Sequence, residues 1–374
     1  MKVGVVTSSL SPAGGWDRYS RFTSEAVSKL ADEVRVLTLK DAKNEECPFK
    51  VYKVIPSIRF HPWVQFKIFL AVLKYLRGCD VIHTMVVPVA PGTAVACWLI
   101  RAKLVITMHG TYAIPPFQKD FLQKEKGLSI IRLFLRIAYR TASIVTTGSY
   151  RTEAKVRERT YLGECRFIPN GVSPVRFPYK PEIPRENFLL TVGEVKPRKG
   201  ADLVTEAIGR LKDEFPDLGF KMVGGTGWRP YIEQIEAIAD KYGIRDRLEF
   251  CGVIDDAELA SLYQRCRASV LAARIAEGQF EGFPMVFYEA LSCGAPLITS
   301  KGFGSEYVVQ NGENGFLIEE ENVEQLVECI RKLMSNKDLQ KNMTEKAVES
   351  ALKHTWDRIA EEHVVPMYND ALKK

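Results

Sequence analysis

Short runs of apolar and β-branched residues alternate with longer amphipathic stretches along the whole chain. Apolar runs bounded by turn residues predict strands, and apolar positions three or four residues apart predict helices. In the first half, the predicted strands are Lys2–Ser8, Glu33–Leu39, Lys50–Ile55, Val81–Met85, Leu104–Met108, Ile144–Thr147 and Arg166–Ile168. The predicted helices include Arg18–Ala31, Gln65–Arg77 and Ser129–Tyr139. This alternation predicts an α/β fold, with a mostly parallel sheet covered by helices on both faces.

The alternation starts again after a stretch that contains Pro174, Pro178, Pro181 and Pro184. The later predicted strands are Phe188–Val192, Gly219–Val223, Leu248–Gly252, Ala268–Ala272, Ala295–Thr299 and Gly315–Ile318. Predicted helices lie at Ala201–Phe215, Tyr231–Tyr242, Asp256–Gln264 and Val323–Met334, and a last one covers residues 356–372. We therefore predict two doubly wound domains, 1–174 and 175–355, joined by a proline-rich hinge and enclosing a cleft.

Composition narrows the class of protein. The window Val81–Ile100 lacks Asp, Glu, Lys and Arg, but Pro88 and Pro91 within it favour a strand and a buried helix over a membrane span. The eight cysteines form no Cys-x-x-Cys pair, which favours reduced thiols. Because the chain opens in a predicted strand without a basic leader, we expect a cytoplasmic protein.

Charge is distributed unevenly along the chain. Residues 1–180 contain 28 Lys and Arg against 13 Asp and Glu, a net charge of +15, whereas the remaining residues sum to −9. The basic half is expected to meet an anionic partner. It includes a helical stripe and a second aromatic and basic stretch: Arg132, Arg136 and Arg140, then Trp63, Phe66, Lys67, Phe69, Leu70, Lys74 and Arg77.

Two interpretations of these basic stretches stay open. One is a membrane-surface helix, which would place the protein on the inner face of the membrane beside a lipid-linked acceptor. The other is a core helix with a solvated basic face. A nucleic-acid partner is not expected, because no aromatic and basic recognition motif is present.

The segment from Glu281 to Leu291 combines a glycine-bearing loop with the start of a helix. Pro284 suits the first turn of that helix, whose exposed amides would attract phosphate oxygens. Glu281 in the loop and Glu289 in the early helix are suited to bind sugar hydroxyls by charge-assisted hydrogen bonds. The alternative is that both are solvated surface glutamates.

A second candidate segment is basic and follows a predicted strand. Val192 and Gly193 lead into Lys196, Arg198 and Lys199, so three cations lie at the carboxyl end of that strand. This arrangement suits a diphosphate, although a solvated basic turn would look the same. Gly224, after the next strand, would permit a close approach of ligand to backbone.

The first half contributes glycines and histidines at strand ends. Gly14 and Gly15 lie between the first strand and the first helix, where a phosphate or an acceptor could approach closely. His109 and His83 each fall at the end of a predicted strand. The sequence contains no Asp-x-Asp, His-x-x-x-His, Gly-x-Ser-x-Gly or Walker-type motif, so no metal and no further cofactor is expected.

Together these segments resemble the retaining glycosyltransferases of family 4, which have the GT-B fold. The stretch from Glu281 to Glu289 resembles the family's E-x7-E signature, and Val192 to Gly200 resembles its phosphate loop. Further similar segments fall in the family's order: Asn170-Gly171-Val172, Phe250-x-Gly252, Leu259-x-x-Leu262-Tyr263, Gly294-x-Pro296 and Gly312-x-x-Gly315.

The resemblance implies roles for the candidate residues. Glu281 would bind hydroxyls of the donor sugar, Glu289 the ribose, and Lys199 the diphosphate. His109 would face the transferred sugar, and Gly14 and Gly15 would border the phosphate and the acceptor. His83 would lie on the acceptor side, and residues 356–374 would return to the first domain. The remaining donor contacts would come from the loops around them: Gly193, Lys196, Arg198, Gly224, Gly282, Phe283, Pro284 and Met285.

One position departs from the family pattern. Family members often have arginine after the phosphate-loop glycine, whereas this chain has Glu194. We hypothesise that Lys196 or Arg198 supplies the missing positive charge. The alternative is a weakened enzyme or a non-catalytic subunit that binds nucleotide sugars.

The implied activity is transfer of a hexose-type sugar from a UDP- or GDP-linked donor to a glycan, lipid-linked or small-molecule acceptor. The anomeric configuration would be retained, and a leaving phosphate oxygen would accept the acceptor's proton. Closure of the two domains would exclude water from the donor. A nucleotide-sugar epimerase shares the architecture and stays an alternative, since it would convert donor without an acceptor.

Overall fold

The computed structural model describes residues 1–11, 14–110, 128–158 and 160–374, and the side chains of all of these except residues 128–132. These residues form two compact units. Unit 1 comprises Met1–Asn170 with Trp356–Lys374, and unit 2 comprises Gly171–Thr355. The chain therefore passes from one unit to the other after Asn170 and again after Thr355.

Unit 1 is built on a parallel sheet in the order β3-β2-β1-β4-β5-β6-β7. Its core strands are apolar and buried, as expected for strands covered on both faces. The strands are β1 Lys2–Val6, β2 Glu33–Leu39, β3 Lys50–Ile55, β4 Val81–Thr84, β5 Lys103–Met108, β6 Ile144–Thr147 and β7 Cys165–Phe167. The helices are α1 Gly15–Ser28, α2 Pro62–Tyr75, α3 Ala90–Ile100, α4 Leu128–Thr141 and α5 Tyr150–Arg157.

Unit 2 repeats the design with a parallel sheet in the order β10-β9-β8-β11-β12-β13. The strands are β8 Phe188–Val192, β9 Gly219–Val223, β10 Leu248–Gly252, β11 Ala268–Leu271, β12 Leu297–Ser300 and β13 Gly315–Ile318. The helices are α6 Ala201–Arg210, α7 Arg229–Tyr242, α8 Asp256–Arg265, α9 Val286–Ser292, α10 Ser305–Val308, α11 Val323–Ser335 and α12 Lys337–Leu352. The predicted α/β fold class with two doubly wound parallel sheets is confirmed.

In each unit the direction of strand progression reverses once. The reversal lies between β1 and β4 in unit 1 and between β8 and β11 in unit 2. The loops that leave two such strands diverge, which opens a crevice at the carboxyl edge of the sheet. This topology identifies the loops after β8 and β11 as a place for ligand chemistry in unit 2.

Several helices begin where a polar side chain caps the first turn. Asp255 Oδ1 accepts from Glu258 N at 2.8 Å, Asn322 Oδ1 from Gln325 N at 2.8 Å, and Asn336 Oδ1 from Leu339 N at 2.9 Å. Each cap satisfies an amide that has no partner within the helix. The starts of α8, α11 and α12 are thus set locally.

The tail departs from the single helix predicted over 356–372. It forms α13 Trp356–Ile359, a π-helical turn Ala360–Val364 and α14 Val365–Leu372. Pro366 cannot donate a backbone hydrogen bond, so the regular helix is interrupted before it. The tail packs within unit 1, where Trp356 contacts Tyr19 and Phe22.

The proline-rich stretch predicted as a hinge is packed into unit 2. Phe177 is buried, and its carbonyl oxygen accepts a hydrogen bond from Ser292 Oγ at 2.6 Å. The carbonyl oxygen of Pro178 accepts one from Gln264 Nε2, also at 2.6 Å. A segment held by these bonds is part of the fold of unit 2.

The apolar window at residues 81–100 is divided among several short elements. This window forms strand β4, a short 3-10 turn and α3. Across the described ranges of the chain, no helix combines the length and the apolar character needed to cross a bilayer.

Candidate functional site

Three glycines bring the ends of β8, β9 and β11 together in unit 2. Gly193 has φ +124° and Gly224 has φ +139°, and a Cβ on Gly224 would lie 2.2 Å from the carbonyl oxygen of Gly193. Gly200 has φ +69°, and its Cβ would lie 2.0 Å from the carbonyl oxygen of Ala272. Because other residues disfavour both the backbone angle and the contact, these positions require glycine.

The basic segment after β8 folds into a 3-10 turn, Pro197–Lys199, directly before α6. The turn aims two cations at one carboxylate. Arg198 Nε lies 2.6 Å from Glu281 Oε1, and Lys199 Nζ lies 3.2 Å from Glu281 Oε2. The Glu281 and Lys199 side chains are only 10% and 9% exposed. The structure thus brings together residues that are more than eighty positions apart in sequence.

The Glu281 carboxylate is stabilised in its ionised form. Burial by itself would raise the pKa of this carboxyl, but the nearby Lys199 ammonium and Arg198 guanidinium outweigh burial and hold the pKa below its ordinary value. The cluster of Arg198, Lys199 and Glu281 therefore carries two positive charges and one negative charge at neutral pH.

Arg274 supports the same turn and was not predicted from the sequence. Its Nε donates to the carbonyl oxygen of Pro197 at 2.9 Å, and its backbone amide donates to the carbonyl oxygen of Arg198 at 3.1 Å. Its Nη2 donates to Asp202 Oδ2 at 2.8 Å, and Tyr231 Oη donates to Asp202 Oδ1 at 2.6 Å. The available signal was the position of Arg274 just after the buried strand β11, at the carboxyl edge of the sheet.

Glu194 and Lys196 neutralise one another. Lys196 Nζ lies 2.7 Å from Glu194 Oε2, and the Glu194 side chain is about half exposed. The charge of Lys196 is therefore offset by its neighbour. Of the two residues hypothesised to replace the missing arginine, Arg198 is the one that lies beside Lys199.

The segment after Glu281 differs locally from the prediction. Helix α9 begins at Val286 rather than at Pro284, and Met285 is its N-cap residue. Glu289 is buried within this helix, and Gly282 lies in the preceding loop. Phe283 stacks on Tyr288 with ring centroids 6.0 Å apart and meets the edge of Tyr307 at 6.3 Å.

In unit 1 the glycines Gly14 and Gly15 have a carboxylate beside them. Gly14 precedes the first residue of α1, and a Cβ on Gly15 would meet no atom of the described residues within 4 Å. Asp17, in the first turn, accepts a hydrogen bond from Ser8 Oγ at 2.7 Å. Burial raises the pKa of Asp17 despite this bond. Asp17 was not predicted as a candidate residue.

His109 lies beside this loop, because its ring stacks on Trp16 at 6.3 Å and meets Tyr19 edge-on at 4.7 Å. Burial lowers the pKa of His109 to about 4, so the imidazole is neutral at pH 7. Its Nε2 is buried and has no hydrogen-bond partner among the described residues. A buried polar atom of this kind marks a place for a ligand or water.

His83 is held inside unit 1. Its Nδ1 is 2.8 Å from Tyr368 Oη in the tail, and its Nε2 is 2.6 Å from Thr107 Oγ1. Burial, followed by the neighbouring His109, lowers the pKa of His83 to about 3. Nδ1 thus joins strand β4 to the tail, Nε2 joins it to the neighbouring strand β5, and a role toward an acceptor stays a prediction.

In the described part of the chain, no group of three or more His, Cys, Asp and Glu residues is placed to hold a metal ion. The metal independence of the reaction stays a prediction.

Two family models match consecutive parts of the chain. The model described as Glycosyltransferase Family 4 matches residues 13–176, and the model described as Glycosyl transferases group 1 matches residues 177–350. The matched ranges together include every candidate residue described above.

Several curated proteins are similar to this chain. An uncharacterized glycosyltransferase of Methanocaldococcus jannaschii is 31% identical over 46% of this chain. A GDP-mannose-dependent α-(1-6)-phosphatidylinositol monomannoside mannosyltransferase of Mycolicibacterium smegmatis is 24% identical over 56% of it. The chain spans about half the length of these two relatives, 45% and 57%. An uncharacterized glycosyltransferase of Haemophilus influenzae is 24% identical over 96% of this chain and 98% of its own length.

Solved structures share the fold over the whole chain. The Anabaena protein HepE, crystallised with UDP, superposes with a TM-score of 0.76 at 18% identity, covering 99% of this chain and 100% of its own. Sucrose-phosphate synthase of Thermosynechococcus elongatus superposes with a TM-score of 0.76 at 20% identity, covering 100% and 99%. Both family models match in order along the chain, and the fold is that of the solved structures named above. The chain therefore belongs to the group 1, family 4 glycosyltransferases of GT-B fold.

Proposed function

We propose that this glycosyltransferase moves a hexose-type sugar from a nucleoside-diphosphate sugar to an acceptor hydroxyl, with retention at the anomeric carbon and without a metal ion. The acceptor class is a glycan, a lipid-linked sugar or a small molecule. The observation that carries the proposal is the cluster of Arg198, Lys199 and Glu281 at the carboxyl edge of the unit 2 sheet.

The charge of this cluster suits a diphosphate. Lys196 is offset by Glu194 and Arg274 by Asp202, whereas Arg198 and Lys199 share a single carboxylate. One positive charge is therefore left to meet an anion, in a site whose burial strengthens electrostatic interactions. The charge on the diphosphate grows as the sugar leaves, so the cluster would stabilise the transition state more than the ground state.

The bond changes balance without a protein nucleophile. The bond between the anomeric carbon and the diphosphate oxygen breaks, and the acceptor oxygen bonds to the same face of that carbon. The departing phosphate oxygen takes the acceptor's proton. The protein would then act through positioning and through stabilisation of the leaving group.

The remaining candidate residues would orient the substrates. Glu281 and Glu289 would bind hydroxyls of the sugar and of the ribose. His109, neutral and with a buried Nε2 that lacks a partner among the described residues, would hydrogen-bond the transferred sugar. Gly15, whose added Cβ would meet no atom of the described residues within 4 Å, would let phosphate or acceptor approach.

A thermal-shift screen tests donor binding. The purified chain is heated with UDP, GDP, ADP and their sugar conjugates, in EDTA and without metal. The first donors to try are GDP-mannose, for which the M. smegmatis relative is named, and UDP-glucose, with which HepE was crystallised. One nucleotide at about 100 times its Kd should stabilise the chain by about 3 kcal/mol.

The Glu289→Ala variant is the control for this screen, because it should remove the stabilisation by nucleotide while the ligand-free chain still melts cooperatively. Stabilisation by none of the nucleotides would contradict the proposal. Stabilisation by a nucleotide without turnover of any donor would favour a non-catalytic subunit that binds nucleotide sugars. Donor conversion without any acceptor would favour a nucleotide-sugar epimerase instead. Loss of activity in EDTA would contradict metal independence.

A lipid-linked acceptor would place the enzyme at a membrane surface on the cytoplasmic side. The net charge of +15 over residues 1–180 supports this part of the proposal, since it suits an anionic leaflet.

A further inference from the structure

Three helices lie side by side on one face of unit 1. Helices α2 and α3 are in close backbone contact, because a Cβ on Gly92 would lie 2.3 Å from the carbonyl oxygen of Gln65. The Gln65 side chain joins the two helices further, donating to the carbonyl oxygen of Pro88 and accepting from Gly92 N, both at 2.9 Å. Helix α4 packs along α3. The three helices therefore form one firm platform.

The outward side of this platform is apolar. A surface helix usually turns polar residues to solvent, but here large apolar side chains are exposed on all three helices. Trp98 is 80% exposed and Trp63 is 57% exposed. We call this surface the α2–α4 face, and define it by Trp63, Phe66, Leu70, Val95, Trp98, Leu99, Leu133, Phe134 and Ile137.

The charges on these helices have one sign. Their sequences contain five Lys and Arg and no Asp or Glu: Lys67, Lys74, Arg132, Arg136 and Arg140. Lys67, Lys74, Arg136 and Arg140 are exposed, and the Arg132 side chain lies outside the described residues. Lys67 Nζ lies 5.1 Å from the centre of the Trp63 ring, so a cation borders the apolar surface directly.

We propose that the α2–α4 face binds the surface of an anionic lipid bilayer. Exposed tryptophans would enter the boundary between headgroups and acyl chains, and the lysines and arginines would meet lipid phosphates. A group of exposed large apolar side chains on neighbouring helices marks an interaction site. A second copy of the chain fits less well, because two such faces would bring ten cations together without an acidic residue on these helices.

The structure extends the sequence-based hypothesis. That hypothesis rested on α2 and on the arginine stripe of α4, whereas Trp98 and Leu99 of α3 enlarge the apolar part of the surface between them. The inference deepens the proposed function and rests on it in one respect, the lipid-linked class of acceptor. Binding to lipid itself does not depend on sugar transfer.

Co-sedimentation of the full chain with vesicles tests the proposal. Vesicles of phosphatidylcholine are compared with vesicles that also contain about 30 mol% phosphatidylglycerol, a charge density like that of an anionic leaflet. We expect binding to the anionic vesicles that weakens as salt is added. Trp98→Asp should weaken it about tenfold or more, and Arg136→Gln about fivefold, the equivalent of about 1 kcal/mol.

The matched control is Val253→Asp, which places the same charge at an 83% exposed apolar position of unit 2. It should leave vesicle binding unchanged, and all variants should keep the wild-type melting temperature. Absence of wild-type binding at low salt would overturn the proposal, as would binding that Trp98→Asp leaves intact. A dimer in sedimentation velocity that Trp98→Asp dissolves would show that a second copy covers the face.

Failure of this inference is distinguishable from failure of the proposed function. The vesicles contain neither nucleotide sugar nor acceptor, so binding reports on the face independently of turnover. Transfer to a soluble acceptor without vesicle binding would overturn this inference and leave the proposed function standing. Vesicle binding without any turnover of donor would overturn the proposed function and leave this inference standing.

Discussion

The two glycine-bearing loops predicted to approach phosphate differ in structure and in charge. In unit 2, the loop from Gly193 to Gly200 is confined by close backbone contacts and holds Arg198 and Lys199 against Glu281. In unit 1, a Cβ on Gly15 would meet no atom of the described residues within 4 Å, and the Asp17 carboxylate and the neutral His109 lie near this loop.

The difference separates two kinds of chemistry. A confined loop with excess positive charge is organised before a ligand arrives, which favours anion binding and transition-state stabilisation. A loop beside a carboxylate and a neutral imidazole suits an uncharged sugar or an acceptor hydroxyl, because the carboxylate can accept hydrogen bonds and the imidazole can accept or donate them. The positive net charge of residues 1–180 is therefore a poor guide to where substrates bind in unit 1, since the groups described beside this loop are a carboxylate and a neutral imidazole.

The largest effect is expected for Lys199→Ala. This change removes the ammonium beside Glu281 and should lower kcat about 100- to 1000-fold, the loss typical of one lost electrostatic stabiliser. The value of kcat is measured from the rate at which nucleoside diphosphate is released, which chromatography detects. Lys346→Ala, which breaks an exposed pair with Glu349, is the matched control and should keep full activity. Equal activity of Lys199→Ala and wild type would contradict the assignment of anion binding to unit 2.

Gly200→Ala and Gly15→Ala test the contrast between the confined and the open loop. At Gly200 the positive φ and the close carbonyl oxygen of Ala272 should cost about 2–3 kcal/mol of unfolding free energy. At Gly15 the added methyl group meets open space in the described structure and should change stability by about 1 kcal/mol or less. Chemical denaturation measures both, and similar losses in the two variants would refute the contrast.

His83→Gln tests whether the buried His83 is neutral. Burial lowers the pKa of His83 to about 3, so the unfolded chain binds a proton below about pH 6.5 that the folded chain refuses until about pH 3. Stability should thus fall as the pH drops through this window, by about 2 kcal/mol between pH 7 and pH 5. Chemical denaturation at both pH values should show a drop smaller by that amount in His83→Gln. An equal drop in both proteins would disprove the neutral assignment.

The smallest effect distinguishes the two candidate replacements for the missing arginine. Arg198→Ala should raise the donor Kd about tenfold, a loss of about 1.4 kcal/mol, because it removes one of two cations beside Glu281. Lys196→Ala should change it less, because Glu194 already offsets Lys196. Calorimetric titration with the nucleotide measures both. A larger effect of Lys196→Ala would reverse the assignment of the compensating charge.

Much of the fold could be predicted because strands buried on both faces leave a direct pattern in the sequence. Glu33–Leu39, Phe188–Val192 and Gly219–Val223 coincide with the predicted bounds. The predicted helix bounds were wrong near two prolines. The tail contains a π-helical turn before Pro366, and α9 begins two residues after Pro284.

The candidate site was predictable only in part. Arg198, Lys199 and Glu281 were recognisable as charged residues in loops that follow strands and precede helices. Arg274 and Asp202 were missed because the bond between them joins residues more than seventy positions apart, and local spacing carries no trace of such a contact.

The sequence by itself determined which segments become strands, which loops carry charge, and the family to which the chain belongs. Those properties depend on local periodicity and on residue types at strand ends, and both can be read from residues that are close together in the sequence. The tertiary structure decided how the charges are paired: Lys196 with Glu194, Arg198 and Lys199 with Glu281, Arg274 with Asp202. It also decided which helix faces stay exposed, because pairing and exposure depend on distances in space that the order of residues does not contain.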